Sequence, residues 1–455
     1  MLRPFATSFL LVSLALCAAA RTRPHYGGTL RVEIEGDPWQ KPSGLARRLI
    51  LDGLTRIDSN GNLQPALAVE WKSDNQDHRW QFHLRPGVHF SDGSPLTSLT
   101  VVSALNLACQ SNCPWTAVHA VGTSVVFTGD SPMPNLPFLV AADDYLISLT
   151  INGEGKAPDN LTGTGAFQFA SLTNGILTLA ANETCWQGRP FLDTVEIRPH
   201  RAIRDQWLDL SVGRADLVQV PPEQLRQAQQ QRLTLLTSPP VTLLALEVAD
   251  TGALADPLLR QAIALAVDRA ALSNVIFQKQ GEITASLIPA TLSGYAFLFP
   301  SDRDLNKAHE LRGGNTPPPL TLTAEGDGAM QLAAQRIALN LREAGFTIQV
   351  RDNAQHADLT LRQLHMDRTD PRALLESILR ASGEFTESPP APDASPASLY
   401  QAEREALSRN TLIPLLDLPR SVAVSSRVRD LHLGADGQPD IADASLVEAS
   451  REAAP

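Results

Sequence analysis

The chain has 455 residues, enough for two or more folding units with a large core. At 43% hydrophobic and 19% charged residues it reads as a soluble globular protein. The net charge of −11 comes with Lys and Arg spread thinly and no basic run. That excludes nucleic acid and anionic membrane surfaces as partners, because phosphate binding needs clustered positive charge.

The chain opens on an export signal. Arg3 is followed by the apolar run "FLLVSLALCAAA" (9–20), and Ala18-Ala19-Ala20 offers a small-residue cleavage site. The run is too short to span a bilayer. We expect a signal peptide over 1–20 and a mature chain from about Arg21. A lipid anchor at Cys17 is the alternative, but Leu16 stands where such an anchor wants a small residue.

"TLRVEI" (29–34) alternates as a strand, and a helix is expected over about 43–54. "LAVEWKS" (67–73) and "RWQFHL" (79–84) predict two strands of a hairpin across a polar turn. In "WQFHLRPGVHFSDGSPLT" (80–97), Pro86-Gly87 and Ser91-Asp92-Gly93 are turns. His83, His89 and Asp92 have no partners that would make them reactive, so the stretch reads as scaffold. Residues 97–108 read as a helix. In an oxidising compartment Cys109 and Cys113 could close a tight ring, with Cys185 left over. Spacing alone leaves that pairing open.

Asp143-Asp144 read as solvated or capping residues, and "GTGAF" (163–167) as a bend between strands. Pro239-Pro240 marks a joint between two α/β units. Asp256 caps a helix begun by Pro257, whose periodicity runs through Leu259, Ile263, Val267 and Ala270. Strand 320–324, a helix through Ile337 and Leu341 stopped by Gly345, and strand 346–350 form a parallel strand–helix–strand unit. "ESPPAPDASPAS" (387–398) reads as a flexible loop. The chain carries no G-x-S-x-G elbow, no H-E-x-x-H helix and no Walker-type loop. No catalytic residue, cofactor or metal site is expected.

"LRPGVHFSDGSPLT" resembles the signature of solute-binding protein family 5, the extracytoplasmic dipeptide-, oligopeptide- and nickel-binding components of ABC importers. "YGGTLRVEIEGDP" (26–38), "LDGLTRIDSNGNLQPALAVEWK" (51–72), "NETCWQGRPFLDTVEIR" (182–198), "DPLLRQAIALAVDRAALSNVIF" (256–277) and "IPLLDLPRSVAVSSRVRDL" (413–431) are similar to further family blocks, in order. Three departures stand out. Thr100 replaces an acidic residue, residues 109–150 are compressed, and a Gly-Trp pair is absent ahead of Asp367.

The resemblance implies a two-lobed α/β periplasmic binding protein of the type II, peptide-binding class, with a hinge and a trimmed accessory subdomain. The lobes are expected over 26–242 plus 418–455 and over 243–417. The implied function is capture of peptides or peptide-like solutes in an interlobe cleft, as a monomer, for delivery to ABC permease subunits. A nickel chelate is the second ligand expected, and a transporter-independent sensor is the alternative role. The matching aspartate of the family holds the ligand's ammonium group, which places Asp367, with its neighbour His365, at the ligand. Asp370 is the better cap for the helix begun by Pro371. Trp39 and Trp115 are expected as aromatic cleft walls.

Overall fold

A computed structural model describes residues 25–40, 44–109, 113, 115–149, 161–294, 299–314, 317–326, 328–352, 356–366, 370–383 and 395–447. The expected signal peptide with Cys17, and Asp367, lie outside them.

Among the described residues, one sheet has eleven strands. In chain order these are β1 (Thr29–Glu33), β2 (Phe167–Thr173), β3 (Ile176–Ala181), β4 (Thr194–Arg198), β5 (Leu217–Gln219), β6 (Thr234–Val248), β7 (Glu282–Ile283), β8 (Leu320–Ala324), β9 (Ile348–Val350), β10 (Leu359–His365) and β11 (Leu412–Val424). Their spatial order is β9-β8-β10-β6-β11-β5-β1-β4-β3-β2, with β7 added to β11. β6 and β11, at fifteen and thirteen residues, pair antiparallel along most of their length. Each outlasts a single core. On β11, Ile413, Leu415, Leu416 and Leu418 enter one core, while Val422 and Val424 enter another. On β6 the change falls between Leu236, packed on the second core, and Leu244.

The bulge-forming Pro239-Pro240 falls inside this change, where the β6–β11 register slips twice. Proline has no N–H to give a ladder, so a bulge is where a strand tolerates it. The joint expected there is therefore a kink within one continuous strand, not a linker.

The α/β unit forms as its periodicity predicts. β8, helix Ala329–Glu343 and β9 pair parallel, and Gly345 ends the helix at φ +87°. Helix Pro257–Ala266 is shorter than expected. It breaks at Val267, and Asp268 caps a new turn through the Ala271 amide. Val267 stays buried, but Ala270 is exposed, because the break rotates it off the core face. The expected loop over 387–398 is corrected at its end, since Ser395 caps helix Pro396–Ser408. The rest of that loop lies outside the described residues.

A separate four-stranded sheet, with Ala68–Ser73 paired to Arg79–Leu84 as the expected hairpin, carries helix Ser98–Ala108 and its own core. Thr100 closes a capping box: its amide donates to the Thr97 hydroxyl, and its own hydroxyl accepts the Thr97 amide. A hydroxyl thus does what the acidic residue of that box does elsewhere. A disulfide joins Cys109 to Cys113, and Cys185 is free and buried.

Candidate functional site

Strand register locates the site. β5 pairs with β11 at Leu217↔Val424 and Gln219↔Val422, so its carboxyl end points at residue 421, where the Val220 amide meets the Ser421 carbonyl. β10 pairs with β6 from Val248↔Leu359 to Thr242↔His365, and Thr242 faces Leu418 on β11. The carboxyl ends of parallel strands from both halves therefore meet over residues 418–422. In open α/β sheets, ligands bind outside the carboxyl ends of strands. The crossing of β6 and β11 is the candidate cleft.

The first-half wall follows β1, β4 and β5. Glu33 ends β1 fully buried, with Arg198 Nη1 at 3.3 Å and Arg201 Nε at 3.8 Å. Burial raises the Glu33 carboxyl above its ordinary range, Asp209 adds to the rise, and Arg201 and Arg198 oppose it. Gln219 accepts the Glu35 amide at 2.8 Å and is itself fixed by Gln206. Trp39, expected as a wall residue, follows β1 in the chain and is half-buried against the first-half core, with its amide bonded to Asp37.

The second-half wall begins where β10 ends. His365 is exposed, and the Met366 amide donates to the Val241 carbonyl at 2.9 Å. Asp367 comes next in the chain, outside the described residues. Behind this wall lie two buried carboxyls. Glu403 accepts the amides of Leu287 and, at 3.2 Å, Ile288. Asp417 lies on β11 beside Glu282 of β7. Burial pushes both carboxyls up to about 7; for Asp417, Glu282 and Glu403 add like-charge repulsion.

At the seam itself the Arg420 amide donates to the Ser238 hydroxyl at 3.0 Å. Beside it Arg48 bonds Asp436 and reaches Asp143 at 2.7 Å. Asp143, expected to be solvated or capping, is instead part of this ion-pair network. Among the described residues, no group of three or more His, Cys, Asp or Glu side chains could hold a metal ion.

Trp115, the other expected wall residue, is 5% exposed and stacks edge-on to Phe127 beside Tyr145, inside the core of the small sheet. His83 and His89 have local partners, the Ser124 hydroxyl at 3.3 Å and the Gly87 carbonyl at 3.0 Å, and Asp92 holds the Ser94 amide. "GTGAF" does more than bend. A Cβ on Gly163 would lie 2.0 Å from the Ile50 carbonyl oxygen, and one on Gly165 2.6 Å from that of Leu49. Between them Thr164, with Trp186, holds the Asp52 carboxylate at 2.7 and 2.9 Å. Sequence reading passed over Arg420 and Asp417. The available signal was two charges inside the otherwise apolar "IPLLDLPRSVAV".

The family model described as bacterial extracellular solute-binding proteins, family 5, middle, matches residues 62–384. The protein named "Uncharacterized protein YhjP" of Bacillus subtilis is 33% identical over 174 residues, 35% of this chain and 29% of that protein. The "Probable di/tripeptide-binding protein 5" of Pseudomonas aeruginosa is 24% identical over 354 residues, 67% of this chain and 66% of that protein. The matches thus span less than two thirds of either relative. The periplasmic binding protein DppA from Helicobacter pylori, solved with the peptide STSA, superposes with a TM-score of 0.78. It covers 93% of this chain and 98% of its own at 18% identity, which shows the two-lobed fold.

Proposed function

Because the chain belongs to the bacterial extracellular solute-binding proteins, family 5, we propose that it captures a peptide or peptide-like solute between two lobes outside the cytoplasmic membrane and delivers it to the permease of an ABC importer. The observation that carries this reading is the convergence of strand carboxyl ends from both halves on the β6–β11 crossing. Two long strands shared by separate cores are a natural hinge, since closure needs φ/ψ changes at only a few positions. Pro239-Pro240 on β6 and residues 418–422 on β11 are the positions we assign to it. The lobes would then run over 26–242 plus 418–455 and over 243–417. No bond is made or broken in this role.

Asp367 is assigned to the ligand's ammonium group, with His365 beside it and Trp39 on the opposite wall. The di/tripeptide-binding relative supports a peptide as the ligand, while peptide-bound and nickel-chelate-bound solved structures superpose equally well and do not separate the two. Export through the N-terminal signal would leave a mature chain from about Arg21. Intact-mass analysis of the exported protein checks it, and a diacylglycerol adduct would move the anchor to Cys17.

The test of function is a melting screen of the mature protein against a broad peptide library. A ligand at a hundred times its Kd stabilises by about 2.7 kcal/mol. Peptides should raise Tm and compact the protein in small-angle scattering. No shift from any peptide overturns the reading.

A further inference from the structure

Side chains alternate along β11, and on one face Leu418, Arg420 and Val422 follow each other. Leu418 belongs to the second-half core and Val422 to the first-half core. Arg420 therefore stands in the gap between the cores, at the point where the strand ends from both halves converge. Its backbone is fixed there by the Ser238 hydroxyl. A Cβ on Gly437 would meet Val241, Arg420 and Ser238 at 3.0–3.3 Å, so the tail turn 434–437 closes tightly on the same spot.

The guanidinium of Arg420 is half-buried, yet among the described residues it makes no side-chain hydrogen bond or ion pair. The carboxylate that acts on it, Asp436, is bonded to Arg48, and the Arg48 charge itself repels Arg420. Arginine stays protonated, and a guanidinium that loses its water without gaining a partner is costly. Lobe closure would bury it further. A planar fork of five donors suits a carboxylate above other groups, through two parallel hydrogen bonds.

We propose that Arg420 is the anion receptor of the cleft and takes a carboxylate of the bound solute, for a peptide its C-terminus. This deepens the capture reading and rests on it. With an ammonium site on the second-half wall and a carboxylate site on the hinge strand, the distance between them would limit the lengths of free peptide accepted.

The experiment offers the mature protein two tripeptide libraries, one with free C-termini and one amidated, and quantifies the bound species by mass spectrometry. Wild type should prefer acids over amides by about thirtyfold or more, the effect of losing one partner of a buried charge pair. Arg420→Gln should lose that preference, and Arg420→Lys should keep part of it. Equal capture of acids and amides by wild type overturns the assignment and leaves the capture reading standing. So does an undiminished preference in Arg420→Gln. Capture of neither library overturns both. Melting curves of the two variants within a few degrees of wild type establish that each is folded.

Discussion

The Met366 amide donates to the Val241 carbonyl at 2.9 Å, one residue beyond the last β10 pair, His365↔Thr242. The carboxyl end of β10 is therefore tied to the crossing strand β6.

Replacing Asp367 by Ala should weaken peptide binding by roughly 3–5 kcal/mol, about two to four orders of magnitude in Kd, because the bound ammonium loses its counter-charge. Asp370 caps helix Pro371–Ala381 through the Ala373 amide at 2.7 Å, so folding does not depend on Asp367 as a cap. Calorimetry with free and N-acetylated peptides checks it. Unchanged affinity of the variant for free peptide removes Asp367 from the site.

Asp216 should be a principal anchor of the first half. Its carboxylate, 1% exposed, takes Arg31 Nε at 2.9 Å and Arg427 Nε at 2.7 Å, tying β1 to the chain beyond β11. Burial alone would raise its pKa, but the Arg427 and Arg31 hydrogen bonds outweigh burial and lower it. A depressed carboxyl contributes stability above its unfolded pKa, near 3.9, and loses it as pH falls through the folded value. Asp216→Asn should cost about 3 kcal/mol at pH 7 and less near pH 3. Urea denaturation at both pH values would show the difference.

Glu403 and Asp417 should act with the opposite sign. Both are raised to about 7, so the folded state binds more protons than the unfolded state between about pH 4 and 7. Their contribution is complete below that window and is lost as pH rises through it. Glu403→Gln should therefore stabilise the protein relative to wild type at pH 8, by about 1–3 kcal/mol, and not at pH 4.5. Thermal melts across that range test it, and a constant difference at all pH values would refute it.

Gly163→Ala should destabilise by about 3 kcal/mol or more, since the added Cβ meets a backbone carbonyl that cannot step aside. Gly175→Ala is the comparison. Its φ of +75° is strained for alanine but nothing lies within 4 Å, so about 1–2 kcal/mol is expected. Denaturant midpoints of the two variants should separate accordingly.

Much of this protein is written locally in its residues. Period-two alternation marks β1 and the hairpin, Asp256-Pro257 and Asp370-Pro371 mark helix starts, and Gly345 a stop, because strand pleat, helix caps and positive φ depend on neighbours in the chain. The ordered blocks led from there to the family. Tertiary structure decided what depends on meeting across the chain. Local pattern reads Asp143 as a solvated acid, and only the approach of the helix carrying Arg48 makes it an ion-pair partner. Trp115 is aromatic wherever it lies, and its neighbours Phe127 and Tyr145 turn it into core. Arg420 and Asp417 sit three residues apart on one strand. One stands at the gap between two cores and the other is buried beside a second carboxyl, because β6 and β11 outlast a single core. Burial and charge pairing are long-range properties, and they fix which of many similar side chains a ligand can reach.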